Sequence, residues 1–133
     1  ERLAAEMGIY ANDPIDNIGR LQSELHRAVR LVVDTGMHAK GWSRERAMDF
    51  MANNTALSLH NVKTEIDRYI TWPAQALSYK LGELTIKRLR AEAEQQLGDK
   101  FDIREFHDAV LENGSVPLKV LEQHINDWIA EQK

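Results

Sequence analysis

The sequence predicts an all-α protein, a bundle of about six to seven helices without a sheet. Three observations lead there. No segment alternates apolar and polar residues with period two over a useful length. The three prolines and nearly all of the seven glycines sit where a helix should begin or end. The stretches between those stops are joined by short connections, which make neighbouring helices pack mostly antiparallel.

Each element has its own signal. "ERLAAEM" reads as the end of a helix already in progress. In "NDP", Asp13 offers an N-cap and Pro14 a first helical residue, opening a long helix to about Ala39. "KGWS" closes it: Gly41 suits the position after a helix end, and Ser43 caps the next helix, which runs to "NNT" at Asn53–Thr55. Ser58 caps a helix from about Leu59 to Ile70, and "TWP" breaks it, because the residue before proline avoids the α region. Pro73 then opens a long helix that stops at Gly98. Its second half, "KRLRAEAEQQLGDK", is charged on most faces and reads as solvated. Asp102 and Glu105 make a capping box before "FHDAVLE", Asn113–Gly114 ends that helix, and Pro117 opens the last one through Trp128.

A chain of 133 residues suits one domain over 1–133 with a real core. A net charge of −4 argues against a nucleic-acid partner, which needs a concentrated basic face. No apolar run is long enough to span a bilayer, and no signal peptide is visible. With no cysteine, disulfides, thiolate metal sites and a cysteine nucleophile are excluded. The helix-like start at Glu1 leads us to expect a piece of a longer polypeptide.

Two constellations stand out. In "RAVRLVVDTGMHAKGWS", Arg30, Asp34 and His38 follow one another at i, i+4, and Arg27 falls on the same line, with Ser23 and Gly41 extending it. Buried charges must pair or lose their charge, so Arg30 with Asp34 is a plausible internal pair, and Asp34 could hold His38 in orientation. One reading is a network joining this helix to its neighbours; the other is a polar stripe facing a cleft. His38 alone makes no zinc site, which needs three or four ligands, and no HExxH pair is present. His26, His60, His107 and His124 read as surface or helix-end residues.

The second constellation lies in "EIDRYITWPAQALSYKLGE", where Arg68, Tyr69, Trp72, Gln75, Tyr79 and Lys80 crowd around a proline break. Gly82 costs a helix interior about 1 kcal/mol against alanine, which suggests close approach of another helix or of a ligand. Tyrosine hydroxyls can donate to a developing oxyanion and arginine can clamp a carboxylate. Equally, Trp72 and the tyrosines could be core aromatics with satisfied polar ends.

The patterns D-T-G-x-H-x-x-G-W-S, R-Y-x-x-x-P-x-Q-A-x-x-Y-K-x-G and F-H-D-x-x-L-x-x-G-x-x-P-L are long and specific. Over nearly the whole chain, they closely resemble the C-terminal part of the bacterial domain-of-unknown-function 885 family, whose members look like zinc-dependent peptidases, often lipoproteins or envelope proteins. The resemblance implies the C-terminal portion of a helical, gluzincin-like metallopeptidase fold. It places the metal-binding half, and hence the zinc, upstream of Glu1, with no cofactor or metal ligand in this chain. By the same resemblance Tyr69 would stabilise the oxyanion, with His38 as a second donor. Arg68, Gln75, Tyr79 and Lys80 would hold a peptide carboxylate or backbone, and in support Asp34 would orient His38 or pair with Arg30. The expected function is the substrate-cleft half of a peptide-bond hydrolase, inactive alone, in the cell envelope or periplasm. The alternative is a non-catalytic helical interaction module. Either way, a chain parted from its other half should expose apolar surface and self-associate.

Overall fold

The computed structural model describes residues 2–133, with side chains from residue 3 onward. Among the described residues there are seven α-helices and no strand: α1 (Arg2–Glu6), α2 (Pro14–Lys40), α3 (Arg44–Asn54), α4 (Leu59–Thr71), α5 (Gln75–Leu97), α6 (Ile103–Leu111) and α7 (Leu118–Gln132), with a 3-10 turn at Gly98–Lys100.

The N-cap residues act as the sequence indicates, although Asp102 caps Arg104 N and the reciprocal Glu105 bond of a capping box is not formed. Asp13 accepts from the N–H groups of Ile15 at 2.9 Å and Asp16 at 3.1 Å. Ser43 and Ser58 each accept from the N–H three residues on, both at 3.2 Å, and Asp102 accepts from Arg104 N at 2.7 Å. Each bond satisfies an amide that the first helical turn leaves without a partner.

Two boundaries differ from expectation: the last helix continues past Trp128 to Gln132, with Pro117 as its cap, and the other lies at the proline break. The helix after the "TWP" break starts at Gln75 rather than at Pro73. Ala74 lies between them with φ 69°, in the left-handed region, where a right-handed helix cannot begin. Its N–H is taken by Asp34 Oδ1 at 3.2 Å, so a side chain from α2 holds the turn open.

The chain divides into two compact units, residues 1–80 and 81–133. The first is centred on Val29, Val33, Ala47, Met51, Val62, Ile66, Tyr69 and Ala76. These recur three or four residues apart within α2, α3 and α4, so each helix turns one stripe inward. At the α2–α3 corner, Gly41 takes φ 66° and Trp42 N returns to Gly36 O at 2.9 Å. The Trp42 indole then lies flat on Gly36: a Cβ there would sit 2.5 Å from its ring carbons. Only glycine leaves that space. The second unit packs Leu89, Ala93 and Leu97 of α5 with Phe106, Ala109, Leu121, Ile125 and Ile129. The charged half of α5 is solvated, with i, i+4 pairs Arg88–Glu92 and Arg90–Glu94 on its surface.

Two packing expectations hold only in part. A Cβ at Gly82 would meet no heavy atom within 4 Å among the described residues, so no helix packs closely on it; Tyr69 is a core aromatic as expected. Trp72 is 59% exposed and Tyr79 47% exposed, so neither is a core aromatic. Pro73 and the left-handed Ala74 turn the chain outward between α4 and α5, and that carries both rings off the core.

Candidate functional site

The polar residues of both constellations meet in the first unit, where α2 passes the end of α4 and the start of α5. Tyr69 is the centre. It is 1% exposed, and its hydroxyl donates to Glu65 Oε2 at 2.5 Å. The same oxygen lies 3.3 Å from His26 Nε2. A phenol has one proton, and Glu65 takes it, so His26 Nε2 carries the hydrogen of the second bond. Burial, followed by the bond to Glu65, pushes the Tyr69 hydroxyl well above the ordinary phenol range. Burial works to raise Glu65, but hydrogen bonds from Arg68 and Tyr69 outweigh it and hold the carboxyl below its usual value. His26 is lowered by burial first, against the pull of the Glu65 carboxylate.

Arg68 grips Glu65 with two bonds, Nε to Oε1 at 3.2 Å and Nη2 to Oε2 at 2.7 Å. Its third nitrogen, Nη1, donates to Gln75 Oε1 at 3.3 Å. Arg30 Nη2 donates to that same oxygen at 3.0 Å. Gln75 passes the chain on, its Nε2 donating to the Tyr79 hydroxyl oxygen at 3.2 Å. Cations also stack on both tyrosines: Arg68 and Arg30 lie 4.8 and 5.2 Å from the Tyr69 ring centre, and Arg30 and Arg27 lie 4.9 and 5.6 Å from that of Tyr79.

Asp34 and His38 do other work. Asp34 is 1% exposed and its hydrogen bond goes to Ala74 N; its other oxygen is buried with no hydrogen-bond partner, as is Arg30 Nε. Neither Arg30 nor His38 is a hydrogen-bond partner of Asp34. His38 Nε2 lies 3.0 Å from the backbone oxygen of Tyr69, to which it donates. So α2 holds the α4–α5 turn at both ends, by His38 at the last turn of α4 and by Asp34 at Ala74. Lys80 is half-buried one residue beyond Tyr79.

The structure thus brings together Arg30, Arg68, Tyr69, Gln75 and Tyr79, and sets Asp34 and His38 as braces. Two members were not singled out from sequence. Glu65 carries no signal as a lone acid at the start of its segment. His26 was read as a surface or helix-end residue; it is instead half-buried on Tyr69. A signal for both exists: His26, Arg30, Asp34 and His38 are spaced four apart, and Glu65, Arg68 and Tyr69 are i, i+3, i+4. Among the described residues no group of three or more His, Asp or Glu could hold a metal ion. The zinc that the resemblance implies therefore finds no ligand set here, and no step is assigned to it.

An all-helical fold with an arginine–carboxylate network gathered on a buried tyrosine and braced across a turn is the class of domain these features define. The chain belongs to the family described as "Bacterial protein of unknown function (DUF885)", whose sequence model matches residues 1–125. It is also similar to a solved protein of Colwellia psychrerythraea described as a "putative lipoprotein", with 54% identity and a TM-score of 0.90 over 98% of this chain. The chain spans 22% of that protein's length. A comparison with curated proteins gives no match. No helix among the described residues is long and apolar enough to cross a membrane.

Proposed function

We propose that this chain forms the substrate-anchoring wall of a peptide-hydrolysing cleft in a larger bacterial envelope protein. One observation carries the reading. Arg68 is matched by the Glu65 carboxylate, whereas Arg30 is given a neutral partner, Gln75, and keeps a buried Nε without one. A guanidinium so placed, beside an exposed tyrosine hydroxyl, suits a carboxylate or peptide carbonyl oxygen.

The two tyrosines then take different roles. Tyr69 is buried and its proton is committed to Glu65, so it is a positioning residue that fixes Arg30 and Arg68. Tyr79 accepts from Gln75, which leaves its own O–H to donate outward. Tyr79 is the better donor to an oxyanion developing on a peptide carbonyl. Gln75 orients it, and Asp34 and His38 fix the turn from which it projects. The description of the Colwellia psychrerythraea relative as a "putative lipoprotein" supports the envelope location.

A non-catalytic module is favoured by the closed Tyr69–Glu65–Arg68–His26 network, whose members satisfy one another as structural groups do. The two readings part at Tyr79. In the full natural protein, Tyr79→Phe should lower kcat for peptide hydrolysis by about 10²-fold, as loss of an oxyanion donor does. The melting temperature should not change. Unchanged kcat and KM in a folded, peptide-hydrolysing protein would overturn the assignment of Tyr79, and absence of any hydrolysis by the unmodified protein would favour the module.

A further inference from the structure

Helix α2 carries an apolar face that none of the described residues covers. Ile18, Leu21, Leu25, Ala28 and Val32 follow one another at spacings of three and four, the pattern of a helix-packing seam. The four large members are between 38% and 54% exposed. The seam runs about 21 Å along the helix at about 1.5 Å per residue. It lies away from the polar line: Asp34 follows Leu25 by nine residues, half a turn off at about 100° per residue. The core face, Val29 and Val33, is a third surface. A helix apolar on two faces is built to be enclosed on both.

We infer that this seam seats an amphipathic helix from the polypeptide that makes up the rest of the larger family protein. The Colwellia psychrerythraea protein holds this same fold as 22% of its own chain, so most of a related molecule is available to cover it. A second copy fits less well. The exposed seam offers on the order of a few hundred Å², short of the about 800 Å² per partner that a stable association buries. Its flanking positions, Asn17, Gln22, Glu24 and Leu31, include one charge, and Arg20 already takes it at 2.7 Å. Nothing there sets the register of an identical helix. Self-association of an isolated chain is then a weak substitute use of the same surface.

The test places a photo-crosslinking benzoylphenylalanine at position 25 of the full natural protein, with position 63 as the exposed control. The expected adduct joins position 25, and not position 63, to a peptide outside residues 1–133. An adduct to residues 18–32 of a second copy would overturn the inference, and so would the absence of any crosslink from position 25. A second variant guards against a local artefact. On an open surface Leu21→Glu with Leu25→Glu changes stability little, whereas on a covered one it should lower Tm by about 4 °C or more while Leu25→Met does not. An unchanged Tm for the double variant counts against the seat whatever the cross-link shows.

Discussion

The two compact units solve the same packing problem with different materials. The core of residues 81–133 is built of apolar side chains; ion pairs such as Arg90–Glu94 and Arg104–Asp102 lie on the surface, and His124 Nε2, beside Glu112, is its buried polar atom. The core of residues 1–80 includes Tyr69, with Asp34 fully buried and Glu65, Arg68, Arg30 and His26 partly withdrawn from water around it. Burying polar groups costs free energy unless every partner is met, and here two atoms are left unmet. An apolar core is sufficient to hold helices together, as the second unit demonstrates. The polar network in the first unit therefore specifies something other than cohesion: the placement of Arg30, Gln75 and Tyr79 on one side of a braced turn.

Truncation should separate the two designs most strongly. Ile125→Ala removes a fully buried aliphatic side chain from the second core and should cost about 2–5 kcal/mol by denaturant unfolding. Tyr69→Phe removes only a hydroxyl, yet leaves His26 Nε2–H without its acceptor. It should cost about 1–3 kcal/mol, the penalty of an unmet buried donor. A cost near zero would show that His26 Nε2–H finds another acceptor and that Tyr69 does not fix the network, which would break the comparison. Ala74→Gly works in the opposite direction. Glycine relieves the positive φ at little steric cost, so stability should rise by about 1 kcal/mol, as long as Asp34 still holds the N–H. A loss would mean that the turn depends on the alanine methyl.

Acidity gives the smallest and most selective effect. The folded-state pKa values of His26 and Glu65 are both depressed, so in each case the unfolded chain binds the proton more readily. The stability they contribute is present above their unfolded values and is lost as pH falls through the folded ones. His26 begins this loss below its ordinary value of 6.5 and Glu65 extends it below 4.5. Protection factors in α2 and α4, with the intrinsic exchange rate at each pH divided out, should therefore fall from pH 7 to pH 5, and His26→Gln should flatten that slope. An unflattened slope would remove His26 from the network.

Much of this molecule was legible in the sequence because helix ends are local events. Asp13, Ser43, Ser58 and Asp102 each cap an amide two or three residues away, and Gly41 turns the chain at its own φ. The i, i+4 line through Arg30, Asp34 and His38 was equally local. The partners of that line were not. Asp34 meets Ala74 forty residues on, His38 meets Tyr69 thirty-one on, and Arg30 meets Gln75 forty-five on. Such separations are closed by helix packing, which no spacing rule reports. The start at Gln75 was missed for the same reason, since proline's preference for a first turn was overruled by a side chain from another helix.

By itself the sequence determined the all-helical class, the helix ends and the family, because those depend on caps, breakers and motif residues read in order along the chain. Only the tertiary structure decided which tyrosine is buried, which is exposed, and what Asp34 and His38 hold. The reason is physical. A side chain's exposure and its hydrogen-bond partner are set by whichever neighbour packs against it, and here those neighbours come from other helices.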